Sequence, residues 1–266
     1  MSQNKPLPLT NSHIMVTRPA HQADALINLL VANGAKIFCQ PLIEIIPVTI
    51  SKPSIEVLKS LPQTDIAIFI SQNAVTHGVN LINQYGGLAS NLKLATVGLG
   101  SAKLLEQLTN RSVDIMPQDN YNSEGLLAHP ELQNVANKRI TIFRGIGGRT
   151  LLADTLRERG AQVEYAEVYQ RQLPQIDLDQ LETIWQTQPI DTICITSGEG
   201  LENLVSNILK STAPEQLRAD ILNTQLVIVN KRLESLVHKH GFTKPPIITD
   251  NVSDKAIVDA IIKNRD

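Results

Sequence analysis

The segment HIMVTRPAHQADALINLLVANGAKIFCQPLIEI (13–45) is matched by a second segment, RITIFRGIGGRTLLADTLRERGAQVEYAEVYQR (139–171). Arg18 aligns with Arg144 and Gly34 aligns with Gly160, and each pair lies 126 positions apart. Each segment reads as a strand, an arginine-containing turn, a helix, a glycine and a second strand. We expect the glycine to end the helix, because glycine enters the left-handed conformation at little cost.

The duplication continues beyond these segments. DIAIFISQNAV (65–75) matches DTICITSGEGL (191–201) at the same spacing, and later parts match with small gaps, so the copies span roughly 13–137 and 138–266. Continuously apolar runs such as IAIFI and LVIVN alternate with amphipathic helical patterns, which is typical of parallel strands covered by helices on both faces. The sequence therefore predicts an α/β protein with two similar domains, each built on a doubly wound parallel sheet.

Composition excludes several classes of protein. The chain of 266 residues is 42 % hydrophobic and 3 % aromatic with a net charge of −2, which does not indicate nucleic-acid binding. The longest apolar runs fall short of the roughly 18 residues that cross a membrane, and the polar amino terminus predicts no signal peptide. Cys39 and Cys194 lie in apolar runs, so we expect buried thiols in a cytoplasmic protein.

Serine, threonine, asparagine and glycine are concentrated in the turns that follow the predicted strands. Such turns meet at the carboxyl edge of a parallel sheet and precede helix amino termini, whose free N–H groups favour anions. Plain N-capping explains the same residue types at any single turn, so capping and a carboxylate- or phosphate-binding site remain alternatives. The turns are TRP (17–19), SQNA (71–74), GLGS (98–101), YNSEG (121–125), RGIGG (144–148), TSGEG (196–200), NKRL (230–233) and NVSD (251–254).

The glycine-rich stretch FRGIGGRT (143–150) does not match a nucleotide-binding fingerprint. Its third glycine is missing, since position 150 is threonine, and the sequence contains no Walker, G-x-S-x-G, C-x-x-C or H-E-x-x-H motif. His238 and His240 are two positions apart on a predicted helix and would point in different directions. We therefore expect no nucleotide cofactor and no metal, and we interpret the glycines as allowing a polar ligand to approach the backbone.

Five short motifs, in this order and spacing, resemble the uroporphyrinogen-III synthase family from about residue 13 to the end of the chain. They are VTRP (16–19), SQNAV (71–75), G-x-x-S-A (98–102), AEVYQR (166–171) and ITSGEGL (195–201). The resemblance implies two α/β domains joined by a two-stranded antiparallel connector. One domain would combine 1–38 with 173–266, the other would be 50–160, and the connecting strands would be 39–49 and 161–172.

The resemblance also implies an activity. Enzymes of this family are lyases of haem and tetrapyrrole biosynthesis that dehydrate and cyclise hydroxymethylbilane, inverting ring D to give uroporphyrinogen III. The substrate is a linear tetrapyrrole with many carboxylates, and the enzyme is expected to act as a monomer without cofactor or metal. The alternative that the residues leave open is a non-catalytic, two-lobed binding module for a polyanionic small molecule.

Tyr169 is the predicted proton donor for this reaction, since a phenol remains protonated at neutral pH and can donate to a leaving oxygen. Its counterpart in the first copy is Ile43, so the strand itself does not require a tyrosine there; a half-buried aromatic of the connector is the alternative role. Lys231 lies where the second copy of the G-x-x-[ST]-A turn reads NKRLE (230–234), and it is expected to supply a charge in place of close backbone approach. The predicted substrate-binding residues are Thr17, Arg18, Pro19, Ser71, Gln72, Asn73, Ala74, Gly98, Ser101, Arg144, Gly145, Gly147, Gly148, Thr196, Ser197, Gly198 and Lys231.

Overall fold

The computed structural model describes residues 6–49, 52–209 and 213–265. The start of the amino-terminal segment and residue 50, the implied first residue of the second domain, lie outside this description. The chain divides into two compact units: unit 1 combines the chain up to Glu44 with the chain from Gln172 onward, and unit 2 is Ile45–Arg171. The domain boundaries that the resemblance implies stay a prediction.

Helices and strands alternate along both units. The strands are β1 His13–Val16, β2 Lys36–Cys39, β3 Glu44–Pro47, β4 Ile66–Phe69, β5 Lys93–Thr96, β6 Arg139–Gly145, β7 Gln162–Gln172, β8 Thr192–Ile195, β9 Gln225–Ile228 and β10 Ile247–Ile248. The helices are α1 Asp24–Ala32, α2 Lys52–Lys59, α3 Gln72–Gln84, α4 Leu99–Thr109, α5 Ser123–Leu127, α6 Leu151–Glu158, α7 Leu178–Thr187, α8 Gly198–Leu204, α9 Glu215–Leu222, α10 Glu234–Lys239 and α11 Asp254–Lys263.

Four neighbouring strands have the same order in the two units: β9-β8-β1-β2 in unit 1 matches β5-β4-β6-β7 in unit 2. Unit 1 has the order β10-β9-β8-β1-β2, and unit 2 has the order β5-β4-β6-β7-β3. Strands β8, β1 and β2 correspond in sequence to β4, β6 and β7, and every pairing with a defined register in both sheets is parallel. β3 lies beside β7 at the edge of unit 2, so the two segments implied as connecting strands are neighbours there.

Each sheet carries a hydrophobic cluster on both of its faces. In unit 1, Ile14 and Val16 of β1 pack with α1 and α11, whereas Met15 between them packs with α7 to α10. In unit 2, Ile68 packs with α5 and α6, whereas Phe69 packs with α2 to α4. Alternate residues of a strand point to opposite faces, so continuously apolar strands require helices on both sides. The prediction of two doubly wound α/β sheets is confirmed.

The glycines at the ends of the first helix of each copy have the predicted backbone conformation. Gly34 has φ of 96° and Gly160 has φ of 84°, both in the left-handed region. Of the two cysteines, Cys194 is buried as expected but Cys39 is exposed, which corrects the prediction. Cys39 ends the edge strand β2, which has a neighbour on one side only. No helix in the described ranges is long and apolar enough to cross a membrane.

Substitution of Gly34 tests this interpretation of the helix end. A Cβ atom at Gly34 would lie 2.9 Å from Leu7 Cβ, whereas Gly241, with φ of 83°, has no heavy atom within 4 Å of that position. Gly241→Ala should lower the free energy of unfolding by about 1–2 kcal/mol through strain alone. Gly34→Ala should lose about 1 kcal/mol or more beyond that, because the added methyl group also overpacks the site. Urea denaturation of both variants measures the difference, and equal losses would contradict the packing argument.

Candidate functional site

At the centre of each sheet, the helices that follow two neighbouring strands leave to opposite faces. In unit 1, α1 follows β1 on one face and α8 follows β8 on the other; in unit 2, α6 follows β6 and α3 follows β4 in the same way. A crevice opens at such a switch point, outside the carboxyl ends of the strands, and ligands of doubly wound proteins bind there. The predicted turns around Arg18 and Ser197, and around Arg144 and Ser71, occupy these two places.

The switch point of unit 1 is held by a hydrogen bond between its two central strands. Thr17 Oγ1, directly after β1, donates to the carbonyl oxygen of Cys194 in β8 at 2.6 Å. Ser197 caps α8 by accepting a hydrogen bond from the Gly200 amide at 3.0 Å. Both hydroxyls are therefore engaged in the fold: Ser197 has the capping role, and Thr17 links the two central strands.

Arg18 has an acidic partner within unit 1. Its Nη1 donates to Oδ1 of Asp254, the first residue of α11, and the two side chains are largely buried. The neighbouring predicted residues Pro19, Thr196 and Gly198 lie on the same edge and are half-buried. Lys231, in the next turn, is fully exposed.

In unit 2, Ser71 links the start of α3 to Tyr169. Ser71 Oγ accepts a hydrogen bond from the Ala74 amide at 3.1 Å and lies 3.2 Å from Tyr169 Oη. Because the serine oxygen already accepts from the amide, its own proton is available for the phenol oxygen. Tyr169 is only 3 % exposed, and its ring stacks on His77 with centroids 5.9 Å apart.

A β-bulge turns Tyr169 toward α3. β7 pairs with β6 in regular register up to Arg144 and Glu167, but the next pair joins Gly145 to Tyr169, so β7 contains one extra residue. Tyr165 packs on the face of α5 and α6, and four residues later a regular strand would return to that face. The extra residue instead places Tyr169 in the cluster of α3.

A pocket of about 300 Å³ opens at the carboxyl edge of unit 2. Arg144 lies in its wall and is 4 % exposed; its Nε donates to the Gly145 carbonyl at 3.1 Å, and its Nη1 lies 3.4 Å from the Arg149 carbonyl. The guanidinium also lies 4.5 Å from the centre of the Tyr165 ring, a favourable cation–π distance. The described residues provide Arg144 with carbonyl and aromatic partners but no carboxylate.

The structure brings some predicted residues of unit 2 into this pocket and leaves others beside it. Gly145, Gly147 and Gly148 line the pocket together with Arg144 and Tyr169. Gln72 instead covers the start of α4, since a Cβ at Gly100 would lie 2.3 Å from its Nε2. The remaining predicted residues lie at the amino termini of α3 and α4, outside the pocket wall: Ser71, Asn73, Ala74, Gly98 and Ser101.

Sequence reasoning missed several side chains in the pocket wall. Ser123 begins α5, Tyr165 lies in β7, and Arg149 and Arg171 add two positive charges. Arg149 stands within the quoted stretch FRGIGGRT, and Tyr165 precedes Tyr169 by four positions on the same strand. The sequence shows the charge of Arg149 and the strand position of Tyr165. It does not show that these side chains line the same pocket. Among the described residues, no group of three or more His, Cys, Asp or Glu side chains could hold a metal ion.

Comparison with known proteins identifies the family of this chain. A family model described as uroporphyrinogen-III synthase HemD matches residues 24–256. The chain belongs to the uroporphyrinogen-III synthase family. It is 33 % identical over 250 residues to the uroporphyrinogen-III synthase of Escherichia coli (strain K12), covering 93 % of this chain and 99 % of that one. It is also 33 % identical over 252 residues to the enzyme of Salmonella typhimurium (strain LT2), with the same coverage.

Solved structures of uroporphyrinogen-III synthases have the same fold. The Helicobacter pylori protein superposes with a TM-score of 0.61 at 14 % identity, covering 96 % of this chain and all of that one. A mutant of the Thermus thermophilus protein gives a TM-score of 0.59 at 16 % identity with the same coverage. At such low identity these likenesses establish the two-sheet α/β fold of the family and nothing about individual side chains.

The contact between Gly145 and Tyr169 can be tested without any ligand. A Cβ atom at Gly145 would lie 2.7 Å from Tyr169 Cε2 and 2.8 Å from Cζ, so Gly145→Ala should displace the ring and break its hydrogen bond to Ser71. Fluorotyrosine labelling gives one ¹⁹F resonance for each of the four tyrosines, and the Tyr169 resonance should shift. Gly98→Ala is the matched control, since Gly98 has no positive φ and the nearest heavy atom to its Cβ position is Tyr121 Cβ at 3.9 Å, an ordinary contact distance. An unmoved Tyr169 resonance in Gly145→Ala would contradict the contact.

Proposed function

We propose that this protein catalyses the reaction of its family, as a lyase that removes water from hydroxymethylbilane and closes it to uroporphyrinogen III with ring D inverted. The family match over residues 24–256 and the two relatives that cover nearly the whole chain support this proposal. The observation that carries it is the pocket at the switch point of unit 2, where a buried arginine and a hydrogen-bonded tyrosine share one wall.

The reaction requires the protein to donate one proton and to position the substrate accurately. The terminal hydroxyl group leaves as water when it is protonated, and the remaining azafulvenium carbon is electrophilic. The substituted carbon of ring D attacks it to give a spiro intermediate, which opens and closes again with the ring inverted. The unsubstituted α carbon of ring D, which forms the final bond, then loses its proton, and this balances the proton used to release water. Because the pyrrole atoms bond to one another, the protein contributes mainly by holding the bent chain in the reactive geometry.

Tyr169 is proposed as the proton donor, with Ser71 supporting it. The phenol proton would pass to the leaving hydroxyl group, and the Ser71 hydroxyl, 3.2 Å away, would donate a hydrogen bond to the phenolate that remains. Ser71 is held in place by the Ala74 amide at the start of α3, where the positive end of the helix dipole also favours a developing negative charge.

The rest of the edge of unit 2 suits a ligand with carboxylates on apolar rings. Arg144, Arg149 and Arg171 line the pocket and provide positive charge for carboxylates. Around the same edge, four large hydrophobic side chains are exposed by 40–54 %, and their apolar surfaces could pack on the faces of pyrrole rings. These apolar residues are Leu99, Tyr121, Ile146 and Leu151.

The further features implied by the resemblance belong to the same proposal. We propose a cytoplasmic monomer of haem and tetrapyrrole biosynthesis that works without cofactor, metal or macromolecular partner. Its domains would be 1–38 with 173–266 and 50–160, and its connecting strands 39–49 and 161–172. The division of the chain between Glu44 and Ile45, and between Arg171 and Gln172, supports these boundaries.

The identity of the porphyrinogen isomer tests the activity. Hydroxymethylbilane closes to isomer I when left alone, so the protein, after chelation and dialysis, should convert fresh substrate to isomer III. Chromatography of the oxidised porphyrins separates the two isomers, and buffer without protein provides the control. Isomer I alone, with tight binding of the substrate, would instead support the two-lobed binding module.

Replacement of Tyr169 by phenylalanine tests the proton donor. A general acid contributes about 10²–10⁴-fold, whereas the loss of one hydrogen bond costs about tenfold. We expect turnover to isomer III to fall by about 10²-fold. This is the lower end of the range for a general acid, because the hydroxyl group also leaves unaided in solution. Tyr85→Phe, at the carboxyl end of α3, is the matched control and should keep the wild-type rate. A folded Tyr169→Phe variant at full rate would leave Tyr169 as a packing residue of β7.

A further inference from the structure

The duplication places one arginine at the same point of each unit. In both units it lies at the carboxyl end of a central strand, beside the switch point. Arg18 follows β1 and Arg144 lies in β6, and the helices that flank them also correspond. α11 packs against α1 in unit 1, and α5 packs against α6 in unit 2. Each flanking helix begins after a side-chain cap, Ser253 for α11 and Asn122 for α5.

The first residue of the flanking helix differs between the units, and it determines the partner of the arginine. In unit 1 this residue is Asp254, whose carboxylate accepts a hydrogen bond from Arg18. In unit 2 the same place is taken by Ser123, which has no charge and lines the pocket. The positive charge of Arg18 is thus neutralised within the fold, whereas that of Arg144 is not.

The pocket beside Arg144 is lined with hydrogen-bond donors. Tyr165 lines the pocket, and its hydroxyl is buried without a hydrogen-bond partner, which is costly for a polar group. Arg144 Nη2 makes no hydrogen bond within the described residues and lies beside Gly148, where a Cβ atom would come within 2.9 Å of it. A guanidinium that is 4 % exposed and lacks an anionic partner is also unfavourable.

We propose that the pocket beside Arg144 binds one carboxylate of the substrate, in the role that Asp254 has toward Arg18. Arg144 provides the charge and the Tyr165 hydroxyl a further donor, while Arg18 is not a site for a ligand carboxylate. This inference rests on the proposed function for the identity of the ligand. It assigns the substrate contact of the two matched arginines to unit 2, because the positive charge of Arg18 is already balanced by the carboxylate of Asp254.

Introducing the missing acid tests the proposal. In Ser123→Asp, the new carboxylate should pair with Arg144 and occupy the pocket, raising KM for hydroxymethylbilane about tenfold or more while kcat for isomer III changes less than threefold. Ser123→Asn introduces a side chain of the same size as aspartate but without its charge, and its KM should rise by at most a third as much. Ser90→Asp adds the same charge to an exposed loop of unit 2 and should keep the wild-type KM.

A binding measurement keeps this test separate from the activity itself. Uroporphyrin I, a stable macrocycle with the same carboxylate side chains, serves as the probe, and its Kd should weaken in Ser123→Asp in parallel with KM. Wild-type values of both constants in a folded Ser123→Asp variant would overturn the subsite while leaving isomer III formation intact. If thermal melting shows that this variant is unfolded, Arg144→Met must weaken the Kd at least about tenfold, and an unchanged Kd would overturn the proposal.

Discussion

The carboxyl edge of each sheet depends on one constraint: the helices that follow two neighbouring parallel strands pack on opposite faces of the sheet. A sheet with apolar residues on both faces must be covered on both sides, and the chain achieves this by sending α1 and α8, or α6 and α3, to opposite faces. At the strand ends between them no helix covers the edge, and backbone N–H groups are left for a ligand. Because of the duplication, this feature is found at the centre of both sheets.

The two copies have diverged at the positions that matter for chemistry. Arg18 and Arg144 share a place in the fold, yet one pairs with a carboxylate of its own unit and the other lies in the wall of a pocket. A similar difference separates Ser197, which only caps α8, from Ser71, which caps α3 and also contacts a tyrosine. The two serines share the capping role and differ in the tyrosine contact, whereas the two arginines differ in whether their partner is a carboxylate of their own unit.

The bulge in β7 shows how a small irregularity creates a site. Without the extra residue before Tyr169, the phenol would share a face with Tyr165 and would lie away from the start of α3. Gly145 is needed for the same arrangement, because any side chain there would occupy the position of the ring. The strand therefore has two tasks at its end: it closes the pocket and it presents a hydroxyl group to Ser71.

Several features follow from local sequence pattern. The continuous apolar runs gave the central strands, the spacing of 126 residues gave the correspondence of the units, and the glycines gave the helix ends with positive φ. These depend on side-chain periodicity and on backbone conformational cost, both of which can be read from neighbouring residues. The turns that carry Arg18, Ser71, Arg144 and Ser197 could be assigned to the carboxyl edges for the same reason.

Partners across the fold could not be read in this way. The pairing of Arg18 with Asp254 joins residues 236 positions apart, and the contact of Ser71 with Tyr169 depends on a bulge that no periodicity indicates. The exposure of Cys39 likewise depends on β2 being an edge strand, which is a property of strand order. The different partners of Arg18 and Arg144 were decided by the packing of α11 and α5, because only tertiary structure brings a distant acid, or a serine, to the same place.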